Sequence, residues 1–323
     1  MRRSDALFAV AAAVGLAAFV TLYGSAFPTA AIELELSRSE IRQRADSILR
    51  AQGLDPDTFL TSLTFSARGD AAVFLQRVKG LDETVRFARE VLPLWSWDVR
   101  WFRSGAKEEF YLDLGPDGTP IAFEHVLPET APGDSLAQDS ALVLARAFAV
   151  DRLGLDLSEW SLVDRATTRR ERRVDHTFTW ERAGSRIEWR PNDPEAGTAS
   201  LRVDVTVQGS EVDSFSQYLK VPEAFLRAQT RETAAGALLA ILSAGAMLGL
   251  GLAALVVGFL RQWYGRVRWR WALVPAVALA GAGFLTGVLS FPLLEAEYTT
   301  EVPYEVFVAL GLLGLLFVGA LYG

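Results

Sequence analysis

The sequence predicts an α+β exterior domain of two tandem modules, each a helix followed by an antiparallel sheet, combined with four α-helical transmembrane segments. Two observations carry this prediction. Nearly all acidic and basic residues lie between Glu33 and Glu232, whereas the flanks consist almost entirely of Ala, Leu, Gly, Val and Phe. Inside the charged region, apolar residues first recur at helical spacing and then alternate along strands, and this order occurs twice.

Residues 1–27 predict an N-terminal transmembrane anchor. The apolar stretch runs from Ala6 to about Phe27 and follows Arg2 and Arg3, and a helix needs about 20 apolar residues to cross a bilayer. A cleaved signal peptide is the alternative, with Gly24-Ser25-Ala26 as its cleavage site. The apolar core of a signal peptide is shorter, about 7–15 residues, so the length favours an uncleaved anchor.

Residues 28–133 form the first predicted exterior module. Ser37 and Glu40 make a capping box, and a helix follows until Gly53 and Asp55-Pro56 end it. Its apolar side carries Ile41, Ala45, Ile48 and Leu49. An additional helix is predicted from Asp70 to Glu90. Strand residues then alternate around the turn Gly115-Pro116-Asp117-Gly118: Trp95, Trp97, Val99 and Trp101; Phe110, Leu112 and Leu114; Ile121, Phe123 and Leu127.

Residues 134–233 form the second predicted exterior module. Asp134-Ser135 is expected to open its helix, which stops at Gly154 and has on one side Ala141, Leu144, Ala145 and Phe148. Gly154-Leu155-Asp156 parallels Gly53-Leu54-Asp55, and both modules end on Pro-Glu, at residues 128–129 and 222–223. Alternating residues again predict strands around a turn at Gln208-Gly209-Ser210: Val174, Phe178 and Trp180; Leu201, Val203, Val205 and Val207.

Residues 234–323 predict three further transmembrane helices, at about 234–260, 271–294 and 306–323. The loop from Arg261 to Arg270 holds four arginines among aromatic residues, which is typical of a cytoplasmic loop. The loop between the last two helices has no basic residue and four acidic ones, at 295, 297, 301 and 305. With the N-terminus inside, these signs predict a multi-pass protein of the bacterial inner (cell) membrane whose residues 28–233 are extracytoplasmic.

The composition excludes several functions. Without cysteine, the chain has no disulfide, thiolate metal site or cysteine nucleophile. Its net charge of −7, with acids and bases interleaved, gives no bulk attraction to nucleic acid. It lacks a Gly-x-Ser-x-Gly turn, a phosphate-binding loop and a dinucleotide fingerprint. The predicted membrane helices have no ionisable residue in their interiors, which argues against an ion path within this chain.

Several short motifs resemble a known family. A helix ending in Gly-Leu-Asp, then strands and a Gly-centred hairpin, is similar to the PepSY-type module of bacterial secreted and membrane proteins. The layout of roughly residues 1–233 plus the following helices resembles the N-terminal part of certain CPBP-family (CAAX protease and bacteriocin-processing) intramembrane metalloproteases. The motifs are Trp97-Asp98-Val99-Arg100-Trp101-Phe102, Lys107-Glu108-Glu109, Arg173-Val174-Asp175, Trp180-Glu181 and Leu219-Lys220-Val221-Pro222-Glu223.

The resemblance implies a membrane-anchored extracytoplasmic binding or regulatory region of such a protease, with a peptide or protein as ligand. The family's membrane-embedded Glu-Glu-x-x-x-Arg motif and histidines are missing here. Glu108-Glu109 is the only Glu-Glu pair, and Asp113 stands at the arginine position. No catalytic, cofactor or metal residue is therefore assigned. Zinc or another divalent metal is expected only with a catalytic C-terminal half, and the chain's end at Leu321-Tyr322-Gly323 predicts a fragment.

Three groups of residues are candidate sites. His125 and His176 could contribute to a zinc site if they converged, although each is in register with apolar strand neighbours, which favours a core role. Trp95, Trp97 and Trp101 could form an aromatic ligand surface, with core packing as the favoured alternative. Arg165, Arg169, Arg170, Arg172 and Arg173 form one basic cluster that could contact lipid headgroups or an acidic partner; a solvated connection is the favoured alternative.

Two other functions remain open. The chain could be a stand-alone membrane sensor or interaction protein that binds a partner through its outer domain. It could also be a non-conducting subunit of a transporter complex, which would rely on a partner for the charged path that its own helices lack.

Overall fold

The strands of the charged region form one antiparallel sheet. The computed structural model of the chain describes residues 3–26, 32, 34–190, 196–264 and 269–322, and these have an α+β fold, as predicted. The helices are α1 (Arg3–Ala26), α2 (Arg38–Ala51), α3 (Gly69–Lys79), α4 (Leu81–Glu90), α5 (Gln138–Asp151), α6 (Glu223–Trp263), α7 (Trp269–Ala296) and α8 (Tyr304–Tyr322). The strands are β1 (Leu60–Ala67), β2 (Trp95–Phe102), β3 (Glu109–Leu114), β4 (Pro120–Val126), β5 (Trp160–Arg169), β6 (Val174–Arg182), β7 (Ile187–Trp189), β8 (Gly197–Gln208) and β9 (Glu211–Lys220).

The strand order is β1-β2-β3-β4-β9-β8-β6-β5, with the short β7 paired to β8. The first half of the chain contributes β1 to β4 and the second half β5 to β9, each as an antiparallel series. The halves meet where β4 pairs with β9, through residues 122–124 and 214–216. We call this junction the seam.

Helix α2 forms as the capping box predicts. The backbone N–H of Ser37 donates to Glu40 Oε2 at 2.8 Å, and the N–H of Glu40 donates to Ser37 Oγ. Gly53 ends the helix with a φ of +83°, which an L-residue rarely adopts. The buried side, Ile41, Ala45 and Leu49, packs on a core that includes Trp97, Trp101 and Leu112.

Helix α5 begins at Gln138, so the predicted start at Asp134-Ser135 is wrong. The carbonyl of Asp134 accepts a hydrogen bond from the N–H of Val174, which ties this segment to β6 instead. The predicted position of Leu144 is also wrong: it is 37% exposed, and Leu142 faces the core. The core between α5 and the sheet includes Ala141 and Ala145 of the helix and four strand residues: Phe178, Trp180, Val203 and Val205.

The predicted helix from Asp70 to Glu90 is interrupted. Gly80 adopts a φ of +84° and separates α3 from α4. Both helices cover one end of the sheet, where Phe74 of α3 and Trp95 of β2 belong to the same core cluster. The first residues of α6 complete this cluster, because Phe225 is fully buried against Phe74 and Trp189, at ring-centroid distances of 5.1 and 5.4 Å.

Each of the four predicted transmembrane segments falls within a helix wherever it is described: α1, α6, α7 and α8. Of the described residues, only α6 makes a helix that is long and apolar enough to cross a membrane by length and composition. Shorter apolar helical stretches lie at Ala13–Tyr23, Ala280–Ala296 and Tyr304–Gly314. The predicted arginine loop lies partly outside the described residues.

Candidate functional site

A groove lies over the seam, between helices α2 and α5. Helix α2 packs on β2 and β3, whereas α5 packs on β8 and its neighbours β6 and β9. From the middle of β2 and β3 to β8 is three and a half strand spacings, which at about 4.8 Å each places the two helices on the order of 17 Å apart along the sheet. Helices in direct contact lie about 8–10 Å apart. The helices therefore leave part of the sheet between them uncovered.

The groove has a volume of about 650 Å³, within the usual range of ligand sites. Its floor is apolar and comes from both halves: Leu112, Phe123 and Phe215. Ile48 of α2 and Phe148 of α5 line it from the two helices, and we call them its walls. Polar side chains also line the groove: Gln52, Thr119, Arg152, Glu211 and Gln217. An apolar floor with a few polar groups at the edge is typical of a site for a partly apolar ligand.

The two walls occupy equivalent positions of the repeat. Each α2 residue has a counterpart one hundred positions later in α5: Ile41 with Ala141, Ala45 with Ala145, Ile48 with Phe148, and Gln52 with Arg152. The outer faces differ, however. Helix α2 exposes Gln43, Arg44, Ser47 and Arg50, whereas α5 exposes Val143, Leu144, Ala147 and Val150 at the same positions. The solvent side of the second wall is therefore largely apolar, with the exposed Arg146 among these residues.

His125 lies at the end of the seam between two carboxylates. Its Nε2 lies 3.1 Å from Glu108 Oε1, and its Nδ1 lies 3.5 Å from Asp213 Oδ1. The ring stacks on Phe110, with centroids 4.3 Å apart. Burial lowers the pKa of His125, but the hydrogen bonds and charges of Asp213 and Glu108 outweigh burial, so its pKa is above the ordinary value.

His176 has different surroundings. Its Nδ1 lies 3.0 Å from Thr167 Oγ1 and its Nε2 lies 2.9 Å from the carbonyl of Leu136. The two histidines share no neighbour that could act as a metal ligand. Among the residues that the structure describes, no group of three or more His, Asp or Glu side chains is placed to hold a metal ion. These residues therefore do not fit a catalytic zinc centre.

A second polar cluster joins the opposite face of the sheet to the loop between α7 and α8. Arg100 donates to Glu109 at 2.7 Å and to the carbonyl of Tyr298 at 2.6 Å, and Thr300 donates to Glu109 at 3.3 Å. Burial raises the pKa of Glu109, but the hydrogen bonds from Arg100 and Tyr111 lower it by more, so the pKa lies below the ordinary value. Tyr298 is 2% exposed and packs on Phe102. We call this cluster the loop joint.

The three predicted tryptophans are core residues. Trp95, Trp97 and Trp101 are 7%, 8% and 0% exposed, so their rings form no exposed ligand surface. Their alternation places all three on the helix-covered face of β2, where each removes a large apolar area from water.

The arginine cluster is divided. Arg173 is buried, pairs with Asp175 at 2.9 Å and donates to the carbonyls of Pro128 and Ala131. Arg170 pairs with Asp175 and with Glu129 at 2.9 Å. These two arginines fasten the segment that connects the halves. The remaining members are exposed: Arg165, which lies 3.7 Å from Asp139, Arg169 and Arg172.

Sequence reasoning missed the groove, the histidine bridge and the loop joint. For the histidine bridge and the loop joint, the sequence contained one signal, the Glu108-Glu109 pair. Neighbouring residues on an extended chain point to opposite faces, so Glu108-Glu109 sends one carboxylate to His125 and the next to Arg100. The partners lie 17 and 9 positions from these glutamates, and Tyr298 lies far beyond, so the pairing required the fold.

Comparisons with protein-family models, with characterised proteins and with solved structures found no match. The resemblance to PepSY-type modules and to the CPBP family therefore rests on the short motifs alone.

Proposed function

We propose that this chain is a membrane-anchored extracytoplasmic region that binds a polypeptide segment in the groove between α2 and α5 and performs no chemistry of its own. By its resemblance, the region would regulate or present substrates to a CPBP-type intramembrane metalloprotease. The groove is the observation that carries the proposal, because it combines an apolar floor with polar edges at the junction of two related halves.

Helix α6 supports the membrane anchor. It has 41 residues, about 60 Å at 1.5 Å per residue, while a bilayer core needs about 20 residues. Its first ten residues are attached to the outer domain by the packing of Phe225 and by an Arg77–Glu232 ion pair of 2.7 Å. Beyond these residues, apolar side chains are exposed around the whole helix, among them Leu239, Met247 and Leu255, at 69%, 74% and 71%. Such a surface suits lipid or other membrane helices.

The loop joint supports the predicted orientation. It brings the acidic α7–α8 loop against the outer domain, so the two lie on the same side of any membrane that α7 and α8 cross. This agrees with the absence of basic residues in that loop and with the arginines of the preceding loop. The four-span arrangement and the PepSY-like character of the outer domain remain part of the proposal.

The shape of the groove favours a helical ligand. The spacing of about 17 Å between the axes of α2 and α5 is close to twice the distance of 8–10 Å between packed helices. One amphipathic helix would therefore fit between them with its apolar side on Phe123 and Phe215, a known mode of peptide recognition. Arg152 and Glu211 at the edges offer one charge of each sign to its polar side.

The test uses the full chain in lipid nanodiscs and two labelled peptides of one composition. One peptide carries leucines at helical spacing, and in the other the leucines are scattered. We expect the first to bind by fluorescence anisotropy, and Ile48→Glu or Phe148→Glu to weaken binding at least about tenfold, since both remove an apolar wall. Gln43→Glu on the outer side of α2 is the matched control. Equal binding of both peptides, or insensitivity to both wall variants, would contradict the proposal.

The connection to a protease has a separate test. The intact mass of the protein, purified from its native host through an antibody to the outer domain, is expected to exceed 35.3 kDa. The additional sequence should contain the paired glutamates and histidines of the family. A mass of 35.3 kDa would remove the protease from the proposal and leave the binding region.

A further inference from the structure

Along the main strand order, the seam is the shortest strand pairing. Strands β4 and β9 pair through residues 122–124 and 214–216 only, whereas β8 and β9 pair along most of their length. Phe123 and Phe215 of the seam are also the floor of the groove. A change in the seam therefore changes the surface on which a ligand would lie.

His125 occupies the position where the pairing of β4 with β9 stops. One nitrogen of its ring faces Glu108, which precedes β3, and the other faces Asp213 of β9. A neutral imidazole has a single N–H, so it can donate to one of these carboxylates only. The imidazolium has an N–H on each nitrogen and a positive charge, so it can keep the 3.1 Å hydrogen bond to Glu108 and also form the 3.5 Å ion pair with Asp213. The geometry therefore suits the protonated ring, which then bridges the two halves of the sheet.

We propose that His125 is a protonation-dependent latch that closes the seam and thereby holds the floor of the groove in its binding shape. The effect on binding rests on the proposed function, whereas the latch itself does not. Two charged groups face His125, Glu108 and Asp213, and Arg103 lies beside the first of them, with its Nη1 3.8 Å from Glu108 Oε2. When His125 loses its proton, Glu108 retains Arg103 as a partner, while Asp213 faces a neutral ring.

The direction of the pH dependence follows from the raised pKa of His125. A histidine whose folded pKa exceeds the unfolded value contributes stability that is complete below about 6.5 and is lost as pH rises through the folded pKa. The latch is therefore closed in mildly acidic surroundings and opens as the exterior becomes alkaline. Since the domain is proposed to face the exterior, external pH would set the state of the seam.

The latch also lies next to the loop joint. Glu108 belongs to the histidine bridge and Glu109, the next residue, belongs to the cluster with Arg100 and Thr300. The two side chains point to opposite faces of the sheet, so a shift of this segment on one face moves the contact on the other. The same pH change is expected to reach the α7–α8 loop.

The first experiment is an NMR titration of the full chain in nanodiscs with ¹³C-labelled histidine. The chain has two histidines, and His176, whose ring contacts Thr167 and the carbonyl of Leu136, supplies the second signal, from which that of His125 is distinguished by the His125→Gln variant. We expect the His125 signal to titrate above about pH 6.5, and Glu108→Gln and Asp213→Asn each to lower its midpoint. A midpoint at or below the ordinary value, or one that neither variant moves, would overturn the latch.

The second experiment measures hydrogen exchange in peptides that cover residues 120–126 and 211–217, at about pH 6 and about pH 8.5, corrected for intrinsic exchange. Loss of one charge-assisted hydrogen bond is expected to make the seam exchange about tenfold faster at the higher pH. His125→Gln should remove this difference, and His176→Gln should retain it. If His125→Gln retains the difference, the latch is wrong. Neither experiment contains a ligand, so failure of the groove to bind peptide would leave both results unchanged.

Discussion

The two halves of the sheet repeat one plan but differ in what covers them. In the first half, the edge strand β1 is covered by α7, and β2 and β3 hold the loop joint. In the second half, the edge strand β5 is uncovered, and every residue from Val163 to Arg169 is exposed. The first half is thus attached to the α7–α8 hairpin, whereas the described residues leave most of β5 in the second half exposed.

The helices show the same division. The outer face of α2 is polar, whereas that of α5 is largely apolar around the exposed Arg146, with Val143 65% and Val150 46% exposed. Because the positions are equivalent, α2 shows that polar side chains are compatible with this surface, and the apolar side chains are particular to α5. In the part of the chain that the structure describes, α5 thus exposes apolar side chains where α2 exposes polar ones. Edge strand β5 discourages simple strand addition, since it has charged residues and a bulge between Leu162 and Asp164.

The largest expected loss of stability comes from a substitution that breaks the attachment of the first half to the α7–α8 loop. Arg100→Gln removes one member of an ion pair whose side chains are 10% and 11% exposed, and leaving Glu109 buried without it should cost about 3–5 kcal/mol. Thermal unfolding of the full chain in nanodiscs measures the loss. Arg182→Gln, in an exposed pair of the second half, is the control and should cost at most about 1 kcal/mol. Equal effects would contradict the distinction between the halves.

A comparable effect is expected at the base of α6. Phe225→Ala removes a fully buried ring from between Phe74 and Trp189, which should cost about 3–5 kcal/mol. Faster hydrogen exchange in α3 and in the first turns of α6 would locate the loss. Phe259→Ala, farther along the same helix where the ring is 65% exposed, should leave that exchange unchanged.

The helix caps give a smaller, opposite pair of effects. Helix α2 has a capping box, whereas Ala137 at the start of α5 makes no side-chain cap hydrogen bond. Ser37→Ala should cost about 1 kcal/mol, and Ala137→Ser should add up to about that amount. Chemical denaturation of both variants beside the unmodified protein checks this. A loss of stability in Ala137→Ser would show that the start of α5 is constrained by other contacts.

The smallest effect on stability should come from making α5 resemble α2. Val143→Gln with Val150→Arg changes exposed side chains only, so stability should move by less than about 0.5 kcal/mol per site. The apolar outer face would nevertheless be lost. Analytical ultracentrifugation and pull-down from native membranes, each against unmodified protein, would report whether that face mediates association; no change in either would show that it does not.

Local signals predicted much of this fold. The Ser37–Glu40 box, the left-handed glycines at positions 53, 118, 154 and 209, and the alternation of Trp95, Trp97 and Trp101 each depend on neighbours close in the chain. The errors arose where contacts between residues far apart in the chain determine the start of a helix or the side that it buries. The carbonyl of Asp134 bonds to Val174 of β6 instead of starting α5. Leu144 is exposed because α5 packs on the sheet through Ala141, Leu142, Ala145 and Ala149.

The candidate site could not be predicted from the sequence, because it too depends on contacts between residues far apart in the chain. The groove exists because α2 and α5 pack on different strands of one sheet, a spacing that no local pattern encodes. The loop joint connects Arg100 with Tyr298, 198 positions apart. Of the residues singled out beforehand, His125 is at the seam, though as a bridge between Glu108 and Asp213 rather than as a metal ligand.

The most direct test of a membrane-anchored exterior domain uses the absence of cysteine from the chain. Single cysteines placed at Ser210 in the sheet, Thr299 in the α7–α8 loop and Gln262 at the end of α6 are all at exposed positions. In intact bacterial cells, a membrane-impermeant maleimide should label Ser210→Cys and Thr299→Cys, and should reach Gln262→Cys only after permeabilisation. Labelling of Gln262→Cys in intact cells, or protection of Ser210→Cys until permeabilisation, would contradict the account.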